Sequence, residues 1–224
     1  MFAKNSSYKL STLLIIACIG ILVSTSAPAT VFHGVDFPDG AASFADSVVS
    51  YDPAYGGGNV PTATYQDPSQ ALGIPNYPEG TDPEYVSLGA GGRIVLRFTN
   101  NSLTGSGSNA LDLWIFEIGP DVEDTDVDIS KDGNTWFSVG KVFGSTAGID
   151  IDAFGFGTSD FFSFIRLTDV ISEGATSGAT VGADIDAVGA ISSAPPVNVP
   201  EPATIALLMI GLAAVGYQRR ERIV

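Results

Sequence analysis

The chain is poor in the residue types on which most catalysis depends. Its 224 residues include one cysteine, one histidine, two methionines and two tryptophans. The cysteine, Cys18, lies in an apolar leader, so the mature protein has no thiol. That excludes a disulfide framework, thiol catalysis and Cys-ligated zinc. His33 has no second histidine to work with, which leaves no basis for a zinc centre or a His-dependent triad. It stands three residues past the predicted leader cleavage and reads as a solvated terminal residue. Positive charge is scarce too: ten Lys and Arg stand against 25 Asp and Glu. No Gly-x-Ser-x-Gly elbow and no phosphate-cradling loop occurs, and no carboxylate pair is singled out for glycosidase chemistry. The reading is of a protein that is not an enzyme, with a secreted hydrolase as the weakest alternative.

The two ends are what the chain has in abundance. Lys4 and Lys9 precede the apolar run Leu10–Val23, and Ala27-Pro28-Ala29 forms a small-residue cleavage site before Thr30. This predicts a secretory signal peptide over 1–29, used by the Sec translocon. Ile15-Ile16-Ala17-Cys18 also fits a loose lipoprotein pattern, but the apolar run continues past Cys18 and a better site follows. At the other end stand Val199, Pro200, Glu201 and Pro202, then an uncharged run from Ala203 to Tyr217, then Arg219, Arg220 and Arg222. Prolines two apart hold an extended segment. Fifteen apolar residues would span about 22 Å as a helix, shorter than the ~20 residues of a usual membrane span. The arginines favour the cytoplasmic side.

This order of Pro-Glu-Pro motif, short predicted transmembrane helix (203–217) and basic tail (219–222) resembles the PEP-CTERM sorting signal of Gram-negative bacteria. The resemblance implies recognition by an integral-membrane exosortase, membrane association through the helix before processing, and delivery to the cell surface or extracellular matrix.

Between the two signals lies an ectodomain, 30–198, long enough for one well-formed domain. Of the 25 acids only Glu201 and Glu221 fall outside it, leaving 23; of the ten cations five fall outside, leaving five, a difference of −18. Such a surface repels phosphate backbones and argues against nucleic-acid binding, while it invites divalent cations.

The ectodomain pattern is all-β. Short segments rich in Val, Ile, Phe and Trp, bounded by Gly, Asn and Asp, predict strands at Arg93–Phe98, Leu111–Ile118, Val127–Ser130, Thr135–Val139, Phe161–Leu167 and Asp184–Ile191. Lys131-Asp132-Gly133-Asn134 predicts a hairpin turn. The spacing indicates a sandwich or jelly roll. The series Val86–Phe98, Asp112–Glu117, Asp128–Trp136, Phe164–Asp169 and Gly182–Val188 is similar to galactose-binding-like (discoidin-like) jelly rolls of bacterial surface proteins. The resemblance implies a jelly-roll β-sandwich that often binds glycans and often holds a structural calcium ion.

Three groups of residues are candidates for a site. Asp-x-Asp occurs in two similar copies, Gly148–Gly155 and Gly182–Gly189, and in a strand both carboxylates would share a face. The resemblance places the last strand and its calcium region at the second copy, so the leading calcium ligands are Asp184, Asp186 and Glu117. In the acidic run 121–128, alternation aligns Asp124, Asp126 and Asp128 as a second cation candidate, or simply as a solvated acidic face. The Tyr-, Pro- and Gly-rich loop 50–86 offers Tyr55, Tyr65 and Tyr77 as platforms for a sugar, or alternatively as packing that orders the loop. Trp114 and Trp136 are expected in the core, and Phe154, Phe156, Phe161, Phe162 and Phe164 beneath one sheet. Together these features predict an exported structural or adhesive module of an exopolysaccharide-rich envelope or biofilm, with a calcium-dependent carbohydrate-binding module as the alternative.

Overall fold

The computed structural model describes residues 29–78, 83–118 and 123–196. The leader, the Pro-Glu-Pro motif, the 203–217 segment and the basic tail lie outside the described residues. Among the described residues no helix is long and apolar enough to cross a membrane.

Thirteen short strands form among the described residues: β1 (Thr30–Phe32), β2 (Val35–Phe37), β3 (Ser47–Asp52), β4 (Val86–Ser87), β5 (Arg93–Arg97), β6 (Ser102–Leu103) and β7 (Leu113–Glu117). After them come β8 (Thr125–Ser130), β9 (Trp136–Val142), β10 (Thr146–Ile149), β11 (Phe164–Asp169), β12 (Asp184–Ala190) and β13 (Ser193–Ala194). Helical structure among the described residues is limited to 3-10 turns, two of which, Ala63–Tyr65 and Pro68–Ala71, order the Tyr-rich loop. The main sheets are antiparallel, one of five strands in the order β3-β5-β11-β8-β9 and one of four in the order β10-β7-β12-β4. They form the expected jelly-roll sandwich.

Alternation explains how they pack. In β5 and β11, Ile94, Leu96, Ile165 and Leu167 point inward and are fully buried, while Arg93, Arg97, Phe164 and Arg166 point outward. The inward residues join Val127 and Ile129, and from the other sheet Val86, Leu113, Ile115, Ile185 and Val188, in one apolar cluster. Burying each such side chain is worth roughly 1.5–3 kcal/mol. All of these strands and this core fall between Thr30 and Ala194.

The four-stranded sheet is covered on its outer face as well. The β1–β2 hairpin and Phe44 lie over it, stacking Phe37, Phe44 and Phe116 at centroid distances of 4.6–6.0 Å in a second apolar cluster with Ala187. The cover sits so close that a Cβ at Gly189 would come within 2.6 Å of the Phe37 ring, so only glycine fits. Consequently every residue of β12 is buried, including its two aspartates.

The hairpin expected at 131–134 is present: the Asp132 carboxylate accepts from Asn134 N and Thr135 N at 2.8 Å, and Gly133 takes φ 76°. Other expectations need correction. Trp136 is outside the core, opposite Ser130 on the outer face of the five-stranded sheet. Of the phenylalanines, Phe154 and Phe161 are exposed and Phe164 faces outward under Arg97; Phe162 and Phe156 pack inward with Phe137 in edge-to-face contacts. Trp114 packs against the second cluster rather than the sandwich core. His33 is exposed, but it holds the β1–β2 turn at φ 46° with its ring 5.9 Å from Phe116.

Candidate functional site

The two sheets carry different chemistry: Glu117, Asp184 and Asp186 are buried carboxylates of the four-stranded sheet, and Asp169 is a buried carboxylate at the end of β11 in the other. Asp184 at the start of β12 takes a short hydrogen bond from the Ser87 hydroxyl. Asp186 sits at a bulge where the β12–β7 register shifts, and it accepts from Asn76 N (3.2 Å) and Tyr77 N (3.4 Å). Glu117 accepts from Glu123 N at 3.0 Å, and Glu123 in turn from Ala175 N at 3.0 Å. Asp169 accepts from Gly91 N (2.7 Å) and Ala183 N (2.9 Å). Glu117, Asp169 and Asp186 thus clamp the backbone of a loop to a strand, while Asp184 ties β12 to β4 through a hydroxyl. Such acceptors are needed because irregular segments leave buried N–H groups without strand partners.

Burial sets their protonation. It pushes Glu117 up to about 9, with further repulsion from Glu123 and Asp184. It raises Asp184 to about 7 and Asp186 to about 6. Burial likewise raises Asp169. Desolvation disfavours the charged form, and the backbone donors offset only part of it. Glu117 and Asp186 also border an open cleft of 360 Å³ with His33, Tyr77 and Phe116. Both Asp186 oxygens are committed to the 76–77 backbone.

Glu117, Asp184 and Asp186 do not converge as a calcium site. The carboxylates that do converge are those of the first Asp-x-Asp copy, joined by Asp112: Asp112, Asp150 and Asp152 each present an oxygen within 4.8 Å of the others. The bulge at Asp186 is what separates the second copy, and no sequence signal announced it. Asp112 is fully buried. Its Oδ2 accepts from Ile151 N at 3.0 Å, while Oδ1 has no partner in hydrogen-bonding geometry, although the Ser192 and Ser106 hydroxyls lie near enough to offset some of the burial that raises its pKa. Asp152 accepts from Ser106 N and Gly107 N at 2.8–3.2 Å. A buried oxygen lacking a donor, beside two further carboxylates, fits the all-oxygen shell of calcium.

The acidic run resolves differently. Asp126 and Asp128 do lie on one side of β8, opposite Lys141 and Arg166, and Asp124 pairs with Lys141 through a short contact. Asp124 and Asp128 are thus each paired with a cation.

The expected tyrosines divide. Tyr65 and Tyr77 pack on Tyr85, at 5.2 Å stacked and 6.0 Å edge-on, and so order the loop. Tyr55 stands apart, 53 % exposed, with the Arg93 guanidinium 3.5 Å from its ring centre. It forms one wall of a 380 Å³ cleft on the outer face of the five-stranded sheet, with Asp52, Arg93, Gly133, Trp136 and Arg166. Arg93 donates from Nε to Thr168 Oγ1 (2.9 Å). Arg166 sits 4.3 Å over Trp136 and bonds Asp128 at 3.0 Å. Arg97 sits 5.2 Å over Phe164, its Nε buried and unpartnered. Antiparallel register brings these together: Arg93 and Arg97 are four residues apart on β5, and Arg166 stands opposite Val95 between them. Of this cleft the sequence offers only Tyr55, because Trp136 is expected in the core and nothing in the chain announces that the strand of Arg93 and Arg97 pairs with that of Arg166. The alternation Arg93-Ile94-Val95-Leu96-Arg97 and Phe164-Ile165-Arg166 carried the signal.

Comparison with known proteins bears first on the tail. Residues 198–222 match the PEP-CTERM protein-sorting motif, the signal of an exported protein sorted by exosortase in Gram-negative bacteria. No curated protein matches the chain. Among solved structures, the C-terminal domain of a chitobiase from Bacteroides fragilis is 14 % identical with a TM-score of 0.35, covering 67 % of this chain and 93 % of that one. CpGH89CBM32-6 produced by Clostridium perfringens is 10 % identical with a TM-score of 0.36, covering 66 % and 92 %. The architecture rests on the register and shared core described above, not on these likenesses.

Proposed function

We propose that the chain is an exported, non-catalytic surface or matrix module whose ectodomain binds carbohydrate on the outer face of its five-stranded sheet. The observation that carries this reading is the cleft bounded by Tyr55 and Trp136. It sets exposed aromatic surface beside fixed charged and hydrogen-bonding groups, the combination that stacks on a sugar ring while pairing its hydroxyls. The leader would take the chain through the Sec translocon, and the 203–217 segment would hold it in the membrane until exosortase acts at Pro200-Glu201-Pro202. The ligand would be a polysaccharide of the envelope or biofilm, consistent with an adhesive role.

Two experiments test the two halves. Replacing Pro200, Glu201 and Pro202 with alanine should leave an uncleaved, membrane-retained protein; normal release would reject the sorting half. Affinity electrophoresis of ectodomain 30–198, which carries both sheets and the core, through a panel of polysaccharide gels should show retardation that Tyr55→Ala and Trp136→Ala abolish. Retardation unchanged in both variants would reject the cleft.

A second reading concerns calcium. An ion in this domain would belong to Asp112, Asp150 and Asp152, supported by the unpartnered Asp112 Oδ1. There it would tie the segments before β7 and after β10 together, apart from the sugar face.

A further inference from the structure

Cations are few in this ectodomain, and their distribution is lopsided. Four of the five, Arg93, Arg97, Arg166 and Lys141, project from the outer face of the five-stranded sheet. The fifth, Lys131, stands in the hairpin turn at that sheet's end, bonded to Asp160 at 2.7 Å. The opposite side of the sandwich holds none among the described residues, and the domain as a whole is strongly acidic.

The three arginines form a row. Four residues along β5 set Arg93 and Arg97 about 14 Å apart, at ~3.4 Å per residue. Arg166, diagonal to both across the β5–β11 pairing, is about 7–8 Å from each along the backbone. Among the described residues only one of the three is paired with a carboxylate, Arg166 with Asp128. Arg93 is held by Thr168 and the Tyr55 ring, and Arg97 by the Phe164 ring. Each guanidinium is therefore fixed by an aromatic plane, which orients its fork while leaving charge available for a planar anion. Arginine matches a carboxylate with two parallel hydrogen bonds.

From this row we infer that the ligand is an acidic polysaccharide, a chain of uronic acids whose carboxylates meet Arg93, Arg166 and Arg97 in turn while sugar rings lie against Tyr55 and Trp136. The inference rests on the sugar-binding reading of this face and names its ligand class. Charge density separates a uronate chain from other polyanions. Duplex DNA carries one charge per ~1.7 Å, and a domain with an excess of 18 negative charges repels it across the remaining surface. Widely spaced carboxylates on a neutral ring framework suit three cations set ~7–8 Å apart.

The test is titration of ectodomain 30–198 with polygalacturonate, a neutral mannan and poly-glutamate, in 50 mM salt with EDTA. Polygalacturonate should bind at least tenfold more tightly than mannan, weaken as salt rises, and lose tenfold or more in Arg93→Gln and Arg97→Gln. These two outward-facing residues are chosen because neither is held by a carboxylate, and an unchanged melting temperature confirms folding. Equal binding of mannan and polygalacturonate would overturn the acidic class and leave the sugar reading intact. Poly-glutamate binding as tight as polygalacturonate would overturn it in favour of charge alone. Binding that appears only when calcium replaces EDTA would overturn it in favour of a cation bridge. No binding to either polysaccharide would overturn this inference and the sugar reading together.

Discussion

The outer faces of the two sheets solve opposite problems. That of the four-stranded sheet is largely covered: Phe37 and Phe44 press onto Phe116 and Gly189, and both carboxylates of β12 are buried, with a cleft open only beside Glu117 and Asp186. That of the five-stranded sheet is open, with no element among the described residues packed over Tyr55, Arg93, Trp136 and Arg166, and its charges remain near solvent. Carboxylates on the first are structural because their oxygens are spent on backbone N–H groups or, at Asp184, on the Ser87 hydroxyl. Guanidinium groups on the second are suited to a ligand because aromatic rings, not acids, hold two of them. In an acidic exported domain, then, the scarce charge locates the binding face more reliably than the abundant one.

The comparison breaks most visibly if a large deletion on the covered face is tolerated. Phe37→Ala should cost about 3–5 kcal/mol of stability, read by chemical denaturation; a loss below about 1 kcal/mol would mean that the hairpin cover is dispensable. Calcium sharpens the same side. If Asp112, Asp150 and Asp152 hold an ion, calcium at a hundredfold its dissociation constant should stabilise the ectodomain by about 2.7 kcal/mol. Asp112→Asn should remove that gain, whereas Asp184→Ala should keep the calcium response. The reverse outcome would restore the second Asp-x-Asp copy as the site.

The buried acids make a third prediction, on pH. For Glu117, Asp184 and Asp186 the folded pKa lies above the unfolded value of about 4, so the native state binds more protons than the unfolded chain. Their contribution to stability is complete below about pH 4 and is lost as pH rises through about 6, 7 and 9. Melting temperature should therefore fall between pH 5 and 9, and Glu117→Gln should flatten the upper part of that fall. A wild-type melt that rises with pH over this range would contradict the assignment. Smallest of all should be the effect of Trp136→Ala, under about 1 kcal/mol, since it removes a cation–π contact from an open face; a change above 3 kcal/mol would mean that the face is structural after all.

Much of this architecture was legible in the sequence. Six strands (β5, β7, β8, β9, β11 and β12), the hairpin at Asp132-Gly133 and the sorting tail follow from local pattern, because turn chemistry and period-2 alternation act over a few residues; β1–β4, β6, β10 and β13 lie outside the expected set. The candidate site was harder to read. Asp184 and Asp186 look like a shared face until the bulge at Asp186 takes the second carboxylate to the 76–77 backbone. Tyr65 and Tyr77 look like sugar platforms until Tyr85 claims both. Trp136 looked like core because tryptophan is large and apolar, yet inward Val139 already fixes the parity that turns it outward. What the sequence could not supply was register. Only the pairing of Arg166 with Val95 makes three separate arginines into a row.

The most direct test of the contrast between the two faces is to map, residue by residue, the backbone amide shifts of the ectodomain as polygalacturonate is added. The account predicts shifts concentrated on Arg93–Arg97, Phe164–Thr168 and Tyr55, with Asp184–Ala190 unmoved. Shifts centred on β12 or on the His33–Tyr77 cleft, with the five-stranded face silent, would contradict it.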